Sequence, residues 1–290
     1  MKKGDLVVLR LGTTDILGVG VIVGEYQWLE EFSDIDGWDL HHVRRVRWFW
    51  TGLESPKVFD TYTLKFGDTT QRLDSLEVKK WIESLSKDKA DGALAVLPKS
   101  DKQNVEFEEI SEYLFDQGVS SNSIEMLIRE IGELIRIAKW YSKYESPSEF
   151  ETVAYLVVPL LRALGWTPQK MAVEWCNVDV ALFSQLPRTD NNLSIVVEAK
   201  KKGDSCLTAK LQAESYAKGK VNCERLIVSD GLRYGVYLKE DEEFTLYAYF
   251  NLTALKNDYP VYDCHGVKQA LQAMTPEWSH EKYNRVAKGL

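Results

Sequence analysis

The sequence predicts an α+β protein of two domains: a small N-terminal β-barrel and a C-terminal α/β domain with a mixed sheet, joined by a helical spacer. Three features of the sequence support this fold class. Short β-rich runs broken by glycines fill the N-terminal part, a polar stretch leads into a long amphipathic segment, and strand-like and helix-like runs then alternate. The expected boundaries are residues 1–90, 91–144 and 145–290.

The N-terminal domain is predicted from three β-rich runs, at residues 5–10, 18–26 and 42–50. The glycines of the second run are expected to be bends in barrel strands, because their spacing is not G-x-G-x-x-G and no helix follows. The chain also lacks a G-x-x-x-x-G-K-[ST] motif. No nucleotide cofactor is therefore expected in this chain.

Residues 107–144 have the periodicity of a helix with one apolar face. The residues of that face are Ile124, Leu127, Ile128, Ile131, Leu134, Ile135 and Ala138. Such a face could belong to a spacer, to a dimerisation helix, or to a helix that simply packs on the C-terminal domain. A second amphipathic stretch, at residues 267–274, is expected to complete that domain.

Composition limits the classes of protein that the chain can belong to. The net charge of −8 argues against a protein that coats nucleic acid, although a local basic patch can coexist with it. No run of eighteen apolar residues and no signal-like start are present, so we expect a soluble cytoplasmic protein without a membrane partner. The four cysteines have no Cys-x-x-Cys spacing, which predicts reduced thiols and no zinc site.

Asp179 and the triplet Glu198-Ala199-Lys200 have the clearest chemical meaning in the sequence. Alternate residues of a strand share a face, so Glu198 and Lys200 point the same way. If the runs at 178–183 and 193–198 pair as a hairpin, Asp179 lies beside Glu198. Two carboxylates can hold a divalent cation against a phosphate, and a neighbouring amine can orient water and offset negative charge. A solvated ion pair is the ordinary alternative for such a triplet.

The surroundings of these residues resemble the nuclease domain of type I restriction HsdR subunits, a PD-(D/E)XK fold. Residues 148–166 are similar to its opening helix, with a Glu at the start and Pro-Leu-Leu and Leu-Gly-Trp near the end. Gln212-Ala213-Glu214-Ser215-Tyr216 resembles its Gln-x-x-x-Tyr element, and residues 225–237 resemble the following strand and hairpin. The resemblance covers about residues 145–275.

This resemblance implies Mg²⁺ or Mn²⁺ as cofactor, with Asp179 and Glu198 as metal ligands. The implied catalytic residues are Asp179, Glu198, Lys200, Glu149 and Gln212. Glu149 and Glu151 both fit the acid of the opening helix, and Glu149 is favoured. Either one can also be an ordinary acid of a first helical turn. The residues expected to contact DNA in this domain are Lys201, Lys202 and Tyr216, although the two lysines can equally be a solvated charge run.

The first ninety residues resemble EVE and related PUA-like domains. The similar pieces are residues 18–26, residues 42–48 and a closing Phe-Gly-x-Thr followed by a short helix, here from Phe66 to Leu85. The resemblance implies an aromatic pocket for a modified base flipped out of a duplex. The expected pocket residues are Trp28, Trp38, Tyr26 and Trp48, and the expected backbone-binding residues are Arg44, Arg45 and Arg47. Each aromatic residue can instead fill the core of a small barrel.

Together the two resemblances imply a modification-dependent, type IV-like restriction endonuclease that acts in phage defence. Its expected partner is double-stranded DNA with a modified base, most simply a modified cytosine. One active site cuts one strand, so a homodimer is expected. Two alternatives remain open at this point: a catalytically inactive DNA- or RNA-binding regulator on a nuclease scaffold, and a nuclease that acts on RNA.

Overall fold

The computed structural model describes residues 1–60, 63–64, 70–86, 94, 96–97, 99 and 104–279. The chain divides into two compact units. The first consists of Met1–Glu30 and Leu40–Leu97, and the second of Glu31–Asp39 and Pro98–Leu290. The segment Glu31–Asp39 therefore belongs to the second unit, although it lies between two strands of the first. Both sheets and helices are present, which confirms the predicted α+β class.

The first unit contains an antiparallel sheet and one helix. Its sheet has the order β1-β2-β3, and β4 pairs with the start of β2. The elements are β1 (Leu6–Leu11), β2 (Asp15–Trp28), β3 (His42–Thr51), β4 (Lys57–Val58) and α1 (Leu76–Glu83). Within the residues described, β1 and β3 are not joined to each other, and the closed barrel stays a prediction. The predicted Phe66-Gly67-Asp68-Thr69 element lies outside the described residues.

Strand β2 pairs with β1 over its first half and with β3 from Gly18 to its end, and its glycines permit close strand approach. A Cβ atom on Gly20 would lie 2.6 Å from Val46 Cγ1 and 2.7 Å from the backbone oxygen of Arg47. The pairing of β2 with β3 shifts register twice, between Val19 and Gly20 and again after Ile22. These irregularities agree with the expected glycine bends. The core under the sheet contains Ile16, Val19, Phe49, Phe59, Val78 and Ile82.

The second unit is built on an eight-stranded sheet in the order β11-β12-β10-β9-β8-β7-β6-β5. Its strands are β5 (Met171–Trp175), β6 (Val178–Phe183), β7 (Leu193–Ala199), β8 (Arg225–Ser229), β9 (Arg233–Glu240), β10 (Glu243–Asn251), β11 (Asp258–Tyr259) and β12 (Cys264–His265). The pairs β7–β8 and β10–β12 are parallel and the others antiparallel, so the sheet is mixed. The parallel partner β8 is reached through a crossover that contains a helix, as parallel pairing requires.

Helices cover both faces of this sheet. They are α2 (Phe107–Asp116), α3 (Ser121–Tyr144), α4 (Glu149–Thr152), α5 (Val158–Ala163), α6 (Lys210–Ala217) and α7 (Val267–Ala273). One core lies between the sheet and α2 to α5 with α7, and the other lies under α6 and the preceding 3₁₀ turn Cys206–Ala209. The apolar face of α3 is buried in the first of these cores. This burial agrees with one of the three alternatives for the helix, packing on the C-terminal domain.

A π-helical turn, Val153–Val157, joins α4 to α5. Its cause is Pro159, which has no N–H to donate and whose ring would collide with the carbonyl of Tyr155 in a regular α-helix. The wider turn is closed instead by the N–H of Val158, which donates to the carbonyl of Val153. Glu149 thus starts a helix that is continuous through the π turn and ends at Ala163.

No helix in the described ranges is long and apolar enough to cross a membrane. All four cysteines lie in those ranges and are free thiols, as expected. Cys206, Cys223 and Cys264 are buried, and Cys176 is exposed. Burial raises the pKa of the Cys223 thiol to about 11, so this group is neutral and acts as a small apolar side chain.

Candidate active site

Asp179 and Glu198 face each other across the β6–β7 pair. The register joins Val180 to Val197, which places Asp179 and Glu198 at the next opposed position. The backbone N–H of Asp179 donates to Glu198 Oε1 at 3.4 Å, and the backbone N–H of Ala199 donates to Asp179 Oδ2 at 2.7 Å. Each carboxylate is therefore held by the strand that carries the other.

Glu198 is a buried acid with an incomplete set of partners. The residue is 0% exposed, and its Oε2 atom has no hydrogen-bond partner among the described residues. The pKa of Glu198 is raised to about 8. Burial is the main cause, and the negative charges of Asp179 and Glu149 act in the same direction. An isolated carboxylate in such a position costs several kcal/mol unless a proton or a cation accompanies it. The site therefore favours bound positive charge.

Asp179 is half-buried in the same environment. Burial raises its pKa, while the hydrogen bond from Ala199 and the positive charge of Lys200 lower it. Two acids whose pKa values are both raised, side by side, are typical of functional sites rather than of structural ion pairs. The lysine does not neutralise them by a direct ion pair; its ammonium group donates to a different residue.

Lys200 Nζ donates to Gln212 Oε1 at 3.1 Å. The backbone N–H of Lys200 donates to the carbonyl of Ser229 at 2.7 Å, so the lysine stays in register with β8 beyond the end of β7. Gln212 lies on α6, and its Nε2 atom is 3.5 Å from the hydroxyl of Tyr216, one turn further along. The Gln-x-x-x-Tyr element thus lies on one helix face and contacts the lysine of the triplet.

Glu149 and Glu151 have different surroundings at the start of α4. Glu151 Oε2 accepts from the backbone N–H of Ser148 at 2.8 Å and from its hydroxyl at 2.9 Å, which completes a capping box. These bonds lower the pKa of Glu151. Glu149 is exposed, and its charge is close enough to raise the pKa of Glu198. Glu149 is therefore the acid of this helix that faces the carboxylate pair.

The donor atoms of this site suit a hard divalent cation. Carboxylate oxygens are the ligands that Mg²⁺ and Mn²⁺ prefer, and Mg²⁺ is commonly held by one or two protein carboxylates with waters and substrate phosphate. The unpartnered Oε2 of Glu198 beside Asp179 meets this requirement. In the part of the chain that is described, no three His, Cys, Asp or Glu side chains gather as a complete ligand set. Asp179 and Glu198 are the two side chains that would hold the cation.

The two lysines after Lys200 differ from each other. Lys202 Nζ donates to Ser142 Oγ at 2.8 Å, and its backbone N–H donates to Thr152 Oγ1 at 3.2 Å. Burial lowers the pKa of Lys202. These contacts attach Lys202 to α3 and α4. The carbonyl of Lys201 accepts from the backbone N–H of Asp204.

In the first unit, aromatic and basic side chains form a cluster at the end of the β2–β3 hairpin. Tyr26 pairs with Arg44 and Trp28 with His42 across the two strands. The Trp28 indole is stacked on His41 with ring centroids 4.3 Å apart and planes at 6°, and His42 meets it edge-on at 5.0 Å. We call Tyr26, Trp28, His41, His42 and Arg44 the hairpin cluster.

Polar contacts fix the geometry of the hairpin cluster. The hydroxyl of Tyr26 is 2.9 Å from His42 Nδ1, and the Arg44 guanidinium lies over the Tyr26 ring, 5.8 Å from its centroid. Trp28 is 56% exposed and Tyr26 is 49% exposed. One face of the indole is covered by His41, so among the described residues the cluster forms an open platform, and an aromatic pocket for a base stays a prediction.

The remaining aromatic candidates are not members of this platform. Trp38 is exposed and belongs to the second unit, where its backbone bridges to Ile35. Trp48 lies over Gly18, whose Cβ would come 3.1 Å from the indole, and is 39% exposed. Arg47 has a buried Nε atom that finds no hydrogen-bond partner in the part of the chain that the structure describes.

The sequence reasoning did not assign His41, His42, Asp34 or Asp36 to any site. His42 begins β3 opposite Trp28 and His41 directly precedes it, a signal that is visible only once the hairpin register is known. Asp34 and Asp36 lie in an acidic stretch between Trp28 and Trp38, where acids are ordinarily expected to be solvated. In the structure both aspartates are hydrogen-bonded within the second unit.

Comparisons with known proteins give one match. The model of a family described as "Domain of unknown function (DUF8426)" matches residues 1–70. This region contains strands β1 to β4 and less than half of the chain. No curated protein and no solved structure has a significant match to the chain.

Proposed function

We propose that the protein is a divalent-metal-dependent endonuclease that cuts DNA containing a modified base, most simply a modified cytosine. The observation that carries this proposal is the opposed pair Asp179 and Glu198, both with raised pKa, followed directly by Lys200 bonded to Gln212. A structural role does not require an unpartnered buried carboxylate beside a second acid. Metal-assisted hydrolysis of a phosphodiester uses a bound cation beside a group that can transfer a proton.

Asp179 and Glu198 would hold Mg²⁺ or Mn²⁺. When bound, such a cation polarises the phosphate and lowers the pKa of a coordinated water. The mutual hydrogen bonds of the two strands keep the carboxylates fixed, so little reorganisation accompanies the reaction. Glu149 adds a third negative charge on the approach to the pair.

Lys200 has the position expected for a group that orients the attacking water and offsets charge on the phosphate. Its Nζ atom has three donor positions and uses one of them on Gln212. The others can be directed to water and to a phosphate oxygen. Gln212 thereby positions the ammonium group. The Gln212 amide in turn donates from Nε2 to the Tyr216 hydroxyl at 3.5 Å. Hydrolysis then forms a P–O bond from water, which loses a proton, and breaks the P–O bond to the leaving deoxyribose oxygen, which takes up a proton.

The hairpin cluster supports the base-recognition part of the proposal. An exposed indole, a phenol and a guanidinium on one strand face can stack on an unpaired base and hold the adjoining phosphate. Base stacking is available to DNA and RNA alike, so this cluster alone does not select the sugar. Further contacts with DNA are predicted for Arg45, Arg47, Lys201 and Tyr216.

A double-strand break requires two such active sites, and we propose that two copies of the chain act together on DNA. A restriction role in phage defence follows from the pairing of base recognition with phosphodiester hydrolysis in a chain without a nucleotide-driven motor motif. The two alternatives named from the sequence use the same residues: a binding regulator would bind nucleic acid without cutting it, and an RNA-directed nuclease would cut RNA.

The test is cleavage of matched substrates. Plasmids that are unmodified or carry 5-methyl-, 5-hydroxymethyl- or glucosylated cytosine, and a structured RNA, are incubated with Mg²⁺ or Mn²⁺ and the wild-type protein. The Lys200→Ala variant is compared with Lys210→Ala, whose lysine is on the same helix as Gln212 but pairs with Glu214. We expect cutting of a modified DNA that only Lys200→Ala abolishes. Cutting of RNA alone would support the RNA alternative, and tight binding without any cutting would support the regulator.

A further inference from the structure

The segment Glu31–Asp39 caps a helix of the candidate active site. Asp36 Oδ1 accepts from the backbone N–H of Cys206 at 3.0 Å and from that of Leu207 at 3.3 Å, and its carboxylate also accepts from the hydroxyl of Ser205. Ser205 occupies the N-cap position of the turn Cys206–Ala209 but makes no cap bond with its own side chain. The cap is instead supplied by Asp36, 170 residues earlier in the chain than Cys206.

This turn leads directly into α6, which carries Gln212. The 3₁₀ turn Cys206–Ala209 is followed without interruption by Lys210–Ala217. Gln212 contacts Lys200, so a continuous set of bonds runs from Asp36 through the first N–H groups of this helix to the lysine of the site. A carboxylate at a helix N-terminus is also favoured by the helix dipole.

A second set of bonds holds the same segment and the loop after Lys200. Arg233 Nε donates to Asp34 Oδ1 at 2.7 Å, and Arg233 Nη1 donates to Asp230 Oδ2 at 3.0 Å. Asp230 Oδ2 in turn accepts from the backbone N–H of Gly203 at 3.2 Å. The other oxygen of Asp34 accepts from Asn251 Nδ2 at 2.9 Å. Asp34 and Asp36 have positive φ, 55° and 47°, a conformation that the hydrogen bonds of their side chains can maintain.

From these contacts we infer that Asp36 is a positioning residue for the reaction: it fixes the start of the helix that places Gln212 against Lys200. This role in catalysis rests on the proposed nuclease function, whereas its effect on the helix and on Lys200 does not. The segment that supplies Asp36 lies between β2 and β3 in the sequence. Part of the active-site support is therefore encoded in the N-terminal region of the chain.

The test uses two variants that remove the same charge. Asp36 receives three donors on two oxygens, and Asp36→Asn leaves one acceptor and directs an NH₂ group toward those donors. Asp39 uses one oxygen, which accepts from the N–H of Asp34 at 3.2 Å, and Asp39→Asn can retain that bond. Asparagine also tolerates the positive φ of Asp36, so backbone strain is not added.

Two readouts are independent of nuclease activity. Hydrogen exchange at the amides of Cys206 and Leu207 is expected to be at least tenfold faster in Asp36→Asn and unchanged in Asp39→Asn. Acylation of Lys200, measured by mass spectrometry relative to Lys220, is expected to increase severalfold in Asp36→Asn because the contact with Gln212 loosens. Unchanged exchange at Cys206 and Leu207, or unchanged acylation of Lys200, would overturn the inference.

Cleavage kinetics then separate this inference from the proposed function. On 5-hydroxymethylcytosine plasmid with Mg²⁺, Asp36→Asn is expected to lower kcat about tenfold with KM unchanged, because Lys200 is displaced while the DNA-binding groups are retained. An unchanged kcat with faster exchange would overturn the positioning role. If the wild-type protein cleaves none of the substrates, the proposed function fails, and the exchange and acylation results decide whether Asp36 positions Lys200.

Discussion

The ammonium group of Lys200 donates a hydrogen bond from Nζ to Gln212 Oε1 at 3.1 Å instead of forming an ion pair with Asp179 or Glu198. The lysine is thus next to two acids with raised pKa without neutralising either of them. This relationship leaves the carboxylates able to bind a cation and leaves the lysine able to act on a neighbouring water. It is the geometric basis of the proposed chemistry.

Gln212→Ala should impair catalysis through Lys200. Without the amide oxygen the ammonium group can swing toward Asp179 and Glu198 and pair with them. We expect kcat to fall about tenfold to a hundredfold, within the range that misplacing a proton-transferring group produces, while KM for DNA changes little. Steady-state cleavage of modified plasmid measures both constants. Ser215→Ala on the same helix is the control, because the Ser215 hydroxyl bonds only to the carbonyl of Gln212; an equal loss in both variants would contradict the prediction.

Metal binding should depend on pH because it competes with the proton of Glu198. The pKa of this carboxyl is about 8, so below that pH a proton occupies it and must leave when the cation binds. We expect the affinity for Mn²⁺ to rise about tenfold per pH unit from roughly pH 6 to pH 8 and then to level off, since one proton is displaced. Calorimetry in buffers of different ionisation enthalpy measures the released proton. Binding that is independent of pH would contradict this account.

The same carboxyl should make stability fall with rising pH when no metal is present. Its pKa is raised from 4.5 in the unfolded chain to about 8 in the folded one, so the folded state holds the extra proton between these values. The stabilisation is complete below about pH 4.5 and is lost as the pH rises through about 8. Thermal unfolding in EDTA should therefore show a smaller decrease of Tm with pH for Glu198→Gln than for the wild type. Parallel curves would exclude this assignment.

Replacing Glu149 should lower the cleavage rate, whereas replacing Glu151 should not. Glu149→Gln removes a charge that acts on Glu198 and is expected to lower cleavage about tenfold with little change in Tm. Glu151→Gln keeps the acceptor oxygen of the capping box and is expected to retain activity. The cap itself is measured by Ser148→Ala, which should cost about 1 kcal/mol of unfolding free energy. A larger activity loss in Glu151→Gln than in Glu149→Gln would reverse the assignment.

The hairpin cluster should bind unpaired bases. Stacking on an aromatic side chain contributes about 1–3 kcal/mol per base, so Trp28→Ala should weaken binding of modified DNA roughly tenfold to a hundredfold. Trp140→Ala is the matched control, since Trp140 is 48% exposed on α3, in the other unit. Fluorescence anisotropy with labelled duplexes that are modified or unmodified measures both. Equal affinities of Trp28→Ala and wild type would remove this cluster from base recognition.

The hairpin of Asp179 and Glu198 could be predicted because local rules determine it. Strand periodicity places Glu198 and Lys200 on one face, and the turn-rich linker from Ser184 to Asn192 requires an antiparallel return. The helical face of α3 follows in the same way from its 3.6-residue repeat. The Gln-x-x-x-Tyr contact with Lys200 is consistent with helix spacing, but its distance could not be deduced from the sequence.

The rest depends on contacts between distant parts of the chain. Nothing local to Asp36 indicates that it caps a helix 170 residues away, because an acid in a loop is ordinarily solvated. Trp38 resembles Trp28 in sequence context, yet the segment that carries it belongs to the other unit. Lys202 follows Lys200 in a basic run but bonds to Ser142 of α3, which only the tertiary fold brings near.

The measurement that tests the central claim most directly is metal-dependent cleavage of 5-hydroxymethylcytosine plasmid by wild type and Asp179→Asn. The carboxamide is nearly isosteric and keeps an acceptor for the N–H of Ala199, so the fold is retained while a ligand charge is lost. We predict that the wild type converts the plasmid to cut forms with Mg²⁺ or Mn²⁺ and not in EDTA, and that Asp179→Asn reduces the rate by about a hundredfold or more. Cleavage that persists in EDTA, or that is equal in both proteins, would contradict a metal-dependent active site at Asp179 and Glu198.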